Sequence, residues 1–274
     1  MNNKTNKAIK ELGQYYTRSF LVDFCLLELQ NKIDLTNFDL AIEPSAGTGE
    51  FSNKLKDMFK KTLFYDLEPK GNNIIKQDFL NLELKTKSQK TIIIGNPPFG
   101  KNSSLAIKFF NKSCELADCI AFIVPKTFKK ESTHNKLNLN FACHYSIDLP
   151  KNGFYTELAE QYNVPCCFQI WVKTPVKRAK KQYIPNKYIE LTSFKDKDIC
   201  IRRAGSKAGQ IIECKKEVDG IYFIKVKDNK VINLINSKEF NEISSEFINN
   251  TAGNRSISWN ELIYCIYLTE LITN

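Results

Sequence analysis

AIEPSAGTGEF, residues 41–51, joins the end of a short apolar run to a turn containing two glycines and to the start of a helical pattern. The apolar run stops at Pro44 and helical spacing resumes at Phe51, which predicts a strand, a loop and a helix. Gly47 and Gly49 would let the loop backbone approach a ligand closely. No Gly-Lys-Ser/Thr follows, so a phosphate-binding loop of the nucleotide-triphosphate type is disfavoured.

Strand-like runs alternate with helical patterns along the first 172 residues. The predicted strands are 40–43, 63–65, 74–75, 91–94, 119–124, 145–149 and 166–172, and the predicted helices are 18–31 and 104–116. This alternation predicts an α/β fold, a Rossmann-like, doubly wound and mostly parallel sheet with helices on both faces. Ligands of such sheets bind at the carboxyl ends of the strands.

Acidic residues stand at the carboxyl ends of successive predicted strands. Glu43 ends the first of them, Asp66 the next, and Asp78 follows the third. An acid at this place suits the two hydroxyls of a ribose. We therefore expect a nucleoside ligand without phosphates, and a cationic sulfonium with an amino-acid tail fits that description.

IIIGNPPFG, residues 92–100, is the most specific motif of the chain. Its two prolines, Pro97 and Pro98, make the segment rigid just after a buried strand. The Asn96 side-chain oxygen and the Pro97 carbonyl could accept the two N–H bonds of adenine N6, so that its lone pair points at a methyl donor. Phe99 offers a π face on which a flipped base could stack.

The order of six motifs resembles the gamma-class adenine-N6 DNA methyltransferases and the methylation subunits of restriction systems. These motifs are GQYYT (13–17), EPSAGTGEF (43–51), YDLEP (65–69), QDFL (77–80), NPPF (96–99) and IVPKTF (123–128). The resemblance covers about residues 11–172. It implies that the chain transfers a methyl group from S-adenosylmethionine to N6 of a flipped adenine in DNA, without a metal.

The resemblance also implies a role for individual residues. Thr17 would contact the cofactor carboxylate, Asp66 the ribose, Leu67 the adenine ring and Asp78 the adenine amino group. The methionine end would be lined by Glu43, Ser45, Ala46, Gly47 and Gly49, and the aromatic residues near the cofactor would be Phe79 and Phe109. The catalytic loop would be Asn96, Pro97, Pro98 and Phe99. Phe154 would contact the target base, with Tyr155 as the alternative.

The last third of the sequence is short and basic. We place a domain boundary near residue 175, with a catalytic domain at 1–175 and a small α+β target-recognition region at 176–274. Residues 173–230 hold 16 lysines and arginines against seven acids, within a formal net charge of +10 for the whole chain. A concentrated basic surface suits a polyanion, so we expect Arg202 and Arg203 to contact nucleic acid.

Short recognition elements of related enzymes resemble two stretches of this region, IRRAGSKAGQ (201–210) and TAGNRSISWNEL (251–262). Larger members of the family carry a long recognition domain, whereas only about 100 residues follow the boundary here. The target sequence therefore stays open.

Several alternatives stay open on the sequence. An RNA adenine-N6 methyltransferase would use the same chemistry, whereas a glutamine-N5 protein methyltransferase is disfavoured by GQYYT and the basic tail. A binding subunit that depends on a partner chain for catalysis is disfavoured by the motifs, and a specificity subunit or a homodimer stays open.

The nine cysteines and two histidines show no metal-site spacing, so we expect reduced thiols. We also expect no signal peptide, no membrane anchor and a cytoplasmic location.

Overall fold

The computed structural model describes residues 15–84, 89–155, 161–180 and 186–273, with no side chains for 161–162. The predicted motif residues Gly13 and Gln14 lie outside this range. The described residues fall into two compact units, which divide in sequence between Lys180 and Lys181. This division lies five residues after the predicted boundary at 175.

The first unit is built on a seven-stranded sheet. Its strands are β2 (Leu40–Glu43), β3 (Thr62–Asp66), β4 (Ile75–Lys76), β5 (Thr91–Gly95), β6 (Cys119–Pro125), β7 (Phe141–Asp148) and β10 (Cys166–Lys173). They lie in the order β4-β3-β2-β5-β6-β10-β7. The first five strands in this order, β4-β3-β2-β5-β6, are parallel to their neighbours among those five. Strand β10 runs antiparallel to both of its neighbours, β6 and β7. The predicted Rossmann-like, doubly wound and mostly parallel sheet is confirmed.

Four α-helices are described in this unit, and two of them connect paired parallel strands. They are α1 (Ser19–Lys32), α2 (Glu50–Met58), α3 (Ser104–Leu116) and α4 (Glu131–His134). Helix α2 leads from β2 outward to β3, and α3 leads from β5 outward to β6 on the other side. Because parallel crossovers are right-handed, these opposite directions place α2 and α3 on opposite faces of the sheet. The order of the chain therefore reverses between β2 and β5, which is where ligands bind in sheets of this kind.

The central strands are apolar on both faces. Every residue of β5 and of β6 is buried, including the run of isoleucines Ile92–Ile94. A strand covered by helices on both sides reads as a continuous apolar run and not as an alternating one. This is why the sequence located both strands to within one residue.

A small three-stranded sheet fixes the first described residues to a distant segment. Its strands are β1 (Tyr16–Thr17), β8 (Phe154–Tyr155) and β9 (Gln161–Tyr162). Tyr16 pairs with Tyr155 and Thr17 with Phe154 in antiparallel register. The Arg18 backbone N–H also donates to the Gly153 carbonyl at 2.9 Å. The Tyr-Tyr-Thr part of GQYYT is thereby held in place beside β8.

The second unit is α+β. Its sheet has the order β11-β14-β12-β13 and is antiparallel throughout. The strands are β11 (Ile189–Leu191), β12 (Ile199–Arg202), β13 (Ile211–Ile212) and β14 (Ile221–Val226), and the helices are α5 (Lys230–Asn236), α6 (Lys238–Ile248) and α7 (Trp259–Thr273). A separate core holds the sheet against the helices, with Ile201, Ile224, Phe240, Leu262 and Ile266 among its buried side chains.

Helix α7 begins at a capping box. The Ser258 hydroxyl accepts from the Glu261 N–H at 3.3 Å, and the Glu261 carboxylate accepts from the Ser258 N–H at 2.8 Å. This exchange satisfies two backbone donors at the start of the helix. The apolar spacing of residues 260–271 predicts a helix there, which α7 confirms. The sequence does not predict α5 and α6.

All nine cysteines are free thiols and seven of them are buried. Burial raises the pKa of Cys166 well above its usual value. Within the described ranges, no group of three or more histidine, cysteine, aspartate or glutamate side chains could hold a metal ion. None of the described helices is long and apolar enough to cross a membrane.

Candidate cofactor and substrate site

A cleft opens at the carboxyl ends of β2, β3 and β5, at the point where the strand order reverses. It contains about 930 Å³ of empty space, part of which is open to solvent. The carboxyl ends of the strands at such a reversal are where ligands bind in sheets of this kind. Eleven of the predicted site residues line the cleft: Thr17, Glu43, Ser45, Ala46, Gly47, Asp66, Leu67, Phe79, Asn96, Pro98 and Phe109.

The glycine loop after β2 is held by the acid at the end of β3. The Gly47 N–H donates to Asp66 Oδ2 at 2.7 Å, and the Glu68 N–H donates to Asp66 Oδ1 at 2.8 Å. Gly47 has a φ of +50°, and a Cβ there would lie 3.2 Å from Tyr16 Cε1. A carboxylate can accept about four hydrogen bonds, so Asp66 still has room for ligand hydroxyls. Asp66 therefore shapes the loop as well as facing the cleft.

Glu43 is the buried acid of the site. It is 2% exposed, and its Oε2 accepts from the Ser52 hydroxyl at 2.5 Å. Burial raises the pKa of Glu43 to about 8; the Ser52 hydrogen bond opposes that shift and the charge of Asp66 adds to it. A cation bound next to Glu43 would favour its ionised form.

One wall of the cleft is apolar and flat. The rings of Phe79 and Phe109 stack with centroids 5.6 Å apart and an interplanar angle of 21°. Leu67 lies at the same cleft with 58% of its surface exposed. These three side chains can cover an aromatic base on its apolar faces.

Asn96 is oriented by the segment that precedes α1. Its Nδ2 donates to the Tyr15 carbonyl at 3.2 Å and to Thr17 Oγ1 at 3.0 Å. The same amide presents its Oδ1 as a buried acceptor that has no hydrogen-bond partner among the described residues. Ser45 Oγ donates to the Asn96 backbone carbonyl at 3.1 Å, which ties the glycine loop to the Asn96 loop.

The other residues of the NPPF motif differ in their burial and in whether they line the cleft. Pro98 lines the cleft, whereas Pro97 is buried beside it. Phe99 is only 5% exposed, and its ring packs against Tyr15 with centroids 6.1 Å apart. Phe99 is therefore not among the residues that line the cleft in this structure.

Phe154 is buried in the core of the first unit with 2% of its surface exposed. Phe154 is also not among the residues that line the cleft, and its contact with the target base stays a prediction. The alternative, Tyr155, packs on the cleft-lining Tyr16 with centroids 5.4 Å apart. Successive residues of a strand point to opposite faces, so only one of the two aromatic side chains can face the core.

Two predicted cofactor residues, Gly49 and Asp78, do not line the cleft. Asp78 caps a short 3-10 turn, because its carboxylate accepts from the Leu80 N–H at 3.0 Å and from Asn81 Nδ2 at 2.7 Å. Its neighbour Gln77 lines the cleft instead. Eight further residues line the cleft that were not predicted from the sequence: Tyr15, Tyr16, Pro44, Thr48, Glu50, Phe51, Glu68 and Lys70. Several of them lie within the quoted motifs, and that position in the sequence could have identified them as residues of the cleft.

Arg202 and Arg203 belong to the second unit. Arg202 ends β12 and is half-buried, with its Nε donating to the Ala204 carbonyl at 2.9 Å. Arg203 follows the strand and is exposed. Of the two predicted nucleic-acid contacts, Arg203 has the more accessible guanidinium.

No protein-family model matches this sequence. Over 175 residues, 56% of this chain, it is 29% identical to the protein ENHANCED DOWNY MILDEW 2 of Arabidopsis thaliana. That alignment covers 13% of the Arabidopsis protein, so the chain spans a small part of its relative's length.

Three methyltransferase structures are similar to part of this chain. PH1948 of Pyrococcus horikoshii, assigned as an RNA methyltransferase, is 16% identical with a TM-score of 0.45, over 60% of this chain and 89% of that one. TrmN of Thermus thermophilus is 14% identical with a TM-score of 0.42, over 57% and 48%. Magnesium protoporphyrin IX methyltransferase of Synechocystis, solved with bound S-adenosylmethionine, is 13% identical with a TM-score of 0.39, over 63% and 92%. Because these TM-scores lie below 0.5, substrate and site residues rest on the geometry of this chain.

Proposed function

We propose that this protein transfers a methyl group from S-adenosylmethionine to the N6 amino group of an adenine in DNA. The observation that carries the proposal is the Asn96 amide. Its Oδ1 is buried beside the cleft without a partner among the described residues, while its Nδ2 is fixed by two acceptors. A buried acceptor without a donor costs about 1–3 kcal/mol, so such an atom calls for an explanation from function.

The residues of the cleft fit the proposed cofactor. Asp66 has unused acceptor capacity for ribose hydroxyls, and Phe79, Phe109 and Leu67 offer an apolar wall for an adenine ring. Glu43 supplies a buried acid for the cationic amino-acid end. When bound, S-adenosylmethionine supplies an electrophilic methyl group carried on a sulfonium.

Asn96 would act by holding the target amine. The N6 lone pair of adenine is delocalised into the ring, which makes the nitrogen a poor nucleophile. One N–H of the amine would donate to Asn96 Oδ1, and the other would donate to the Pro97 carbonyl, which accepts no hydrogen bond from another described residue. Both acceptors favour a pyramidal nitrogen, and because they are fixed before the reaction they cost no reorganisation in the transition state.

Thr17 and Tyr15 would be positioning residues for this step. They hold Nδ2, and an amide held at its nitrogen must present its oxygen to the substrate. Asn96 has no basic group, so the proton of the methylated amine would leave to solvent after the transfer. The proposed reaction therefore needs geometry and not a strong base.

The experiment is transfer of a tritiated methyl group to duplex DNA, single-stranded DNA, RNA and protein in parallel, followed by nucleoside and amino-acid analysis. We expect N6-methyldeoxyadenosine from DNA, loss of transfer in Asn96→Ala, and retained cofactor binding by calorimetry in that variant. Label in N6-methyladenosine of RNA alone would replace DNA by RNA, and label in N5-methylglutamine would replace nucleic acid by protein. Absence of transfer to all four substrates would overturn the proposal.

A further inference from the structure

We infer that two segments far apart in the sequence form one phosphate-binding surface for the nucleic-acid substrate. The segments are residues 202–210 and 251–257, and we call their common surface the paired-loop surface. The inference rests on the proposed function, because it takes nucleic acid as the substrate. Of the two predicted arginines, Arg202 and Arg203, it takes Arg203, adds Lys207 and Arg255, and separates these three from the ion-paired lysines of the region.

The two segments are joined by their backbones. Ala204 and Ser256 form an antiparallel bridge. The Gly205 N–H donates to the Arg255 carbonyl at 2.9 Å, and the Ile257 N–H donates to the Arg203 carbonyl at 2.9 Å. These bonds on either side of the bridge fix Arg203 and Arg255 on adjacent strands of chain. These backbone hydrogen bonds therefore hold the two basic residues near each other, although about 50 positions separate them in the sequence.

The cations of this surface are not neutralised. Arg203, Lys207 and Arg255 are exposed, and neither segment contains an aspartate or a glutamate. None of the three forms an ion pair with a carboxylate in the part of the chain that the structure describes. A free exposed cation can bind a phosphate without first giving up a protein partner.

Several other lysines in the described part of the region are already paired with carboxylates. The paired lysines and their carboxylates are Lys187 with Glu270 at 3.2 Å, Lys215 with Glu213 at 3.7 Å, Lys225 with Asp198 at 2.9 Å and Lys227 with Glu190 at 2.7 Å. In the first unit, the Arg178 guanidinium donates to the carbonyls of Phe141, Leu137 and His134. The positive charge counted in the sequence is thus spread over the region. Lys195, Lys216 and Lys230 are also exposed without an ion pair among the described residues, but the paired loops bring three such cations onto one hydrogen-bonded surface.

The backbone of the surface is also open to a ligand. A Cβ added at Gly205 or at Gly253 would meet no atom within 4 Å, and Gly205 has a φ of +98° that favours glycine. The side chains of Ser206 and Asn254 are exposed and can donate hydrogen bonds. No large apolar side chain is exposed among the described residues of either segment. Cations, open backbone and small polar groups without apolar side chains suit a sugar-phosphate chain better than a membrane surface.

The test compares two triple variants of the full chain. Arg203→Gln, Lys207→Gln and Arg255→Gln together remove the paired-loop cations, and Lys187→Gln, Lys225→Gln and Lys227→Gln together remove three ion-paired lysines with the same change in charge. Binding of a fluorescent 20-base-pair DNA is measured by anisotropy across a salt series. Far-ultraviolet circular dichroism and thermal unfolding establish that each variant is folded.

We expect the first variant to bind at least tenfold more weakly, with a slope of log affinity against log salt that is smaller by about 0.9 for each lost phosphate contact. The control should keep most of the wild-type affinity and slope. The inference would be overturned by equal losses of DNA affinity in both variants, or by wild-type DNA affinity in the first variant. It would also be overturned if the surface bound an acidic protein surface in place of DNA.

The methyl-transfer assay on the wild-type chain keeps the two proposals apart. If the wild type methylates DNA but the paired-loop variant binds DNA normally, the inference fails and the proposed function stands. If no substrate is methylated but only the paired-loop variant loses DNA binding, the surface stands and the proposed function fails.

Discussion

Replacing Asn96 by alanine should remove catalysis and leave the fold almost unchanged. The substitution deletes the Nδ2 donor that contacts Tyr15 and Thr17, and it deletes the buried Oδ1 that has no described partner. If Oδ1 accepts from the target amine in the transition state, its loss should lower the turnover number far more than either binding constant.

The stability change follows from opposing terms of similar size. Two lost hydrogen bonds cost about 0.5–1.5 kcal/mol each, and removing a buried unsatisfied acceptor returns about 1–3 kcal/mol. The two totals are of the same size, so the free energy of unfolding should change by no more than about 2 kcal/mol in either direction. Loss of one preorganised partner of the transition state instead raises the barrier by about 2.7–4 kcal/mol, which lowers turnover by about 10²–10³-fold.

Asn111→Ala is the matched control. The Asn111 side chain also makes two hydrogen bonds, donating to the Lys136 carbonyl at 3.1 Å and accepting from the Asn138 N–H at 2.8 Å, and it does not line the cleft. Single-turnover methylation, calorimetry with S-adenosylmethionine and thermal unfolding should be measured for both variants. Wild-type turnover in Asn96→Ala, or an equal loss of turnover in Asn111→Ala, would refute the role given to the Asn96 oxygen.

Three further predictions concern the same unit. Burial holds the pKa of Glu43 at about 8, above its usual 4.5, so between those pH values the folded chain keeps a proton that the unfolded chain releases. The free energy of unfolding should therefore fall by up to about 1.4 kcal/mol per pH unit as the pH rises across that window. Glu43→Gln should flatten this pH dependence when thermal unfolding is measured. Phe154→Ala should cost about 3–5 kcal/mol of stability, whereas Tyr155→Ala should spare the fold and lose about 1–3 kcal/mol of base stacking, read from 2-aminopurine fluorescence; equal stability losses would contradict this division. Gly47→Ala should weaken cofactor binding in calorimetry, because its Cβ would lie 3.2 Å from Tyr16 Cε1 and its φ is +50°; unchanged affinity would show that the loop relaxes freely.

The sheet of the first unit could be predicted because its signals are local. The buried strands Thr91–Gly95 and Cys119–Pro125 are continuous apolar runs that stop at polar or glycine residues. Asp66 ends a strand, Asn96 directly follows one, and Gly47 lies in the loop after another. Their position at one edge of the sheet therefore follows from the parallel fold. Their place at the cleft could therefore be predicted from the strand ends alone, without knowing the side-chain contacts.

The missed features depend on contacts between distant residues. Helices Lys230–Asn236 and Lys238–Ile248 are rich in asparagine, serine and isoleucine, which are weak helix formers, and they are stabilised by burying side chains such as Val231 and Phe240. The small sheet that pairs Tyr16 with Tyr155 joins segments about 140 residues apart. The burial of Phe154 depends on that register, because a shift of one residue would exchange it with its neighbour.

The residues of the cleft are coupled, which changes how their substitutions should be interpreted. Asp66 accepts from the Gly47 N–H, Ser45 of the same loop donates to the Asn96 carbonyl, and Asn96 donates to Thr17. Three strand ends and the first described strand are thus joined by one series of hydrogen bonds. A variant of Asp66 would lose a ligand acceptor and would also release the glycine loop, and through Ser45 it would loosen the amide proposed to hold the target amine. Residues in one network give non-additive effects, so the cofactor side and the substrate side of this cleft cannot be assigned separate free energies from single substitutions.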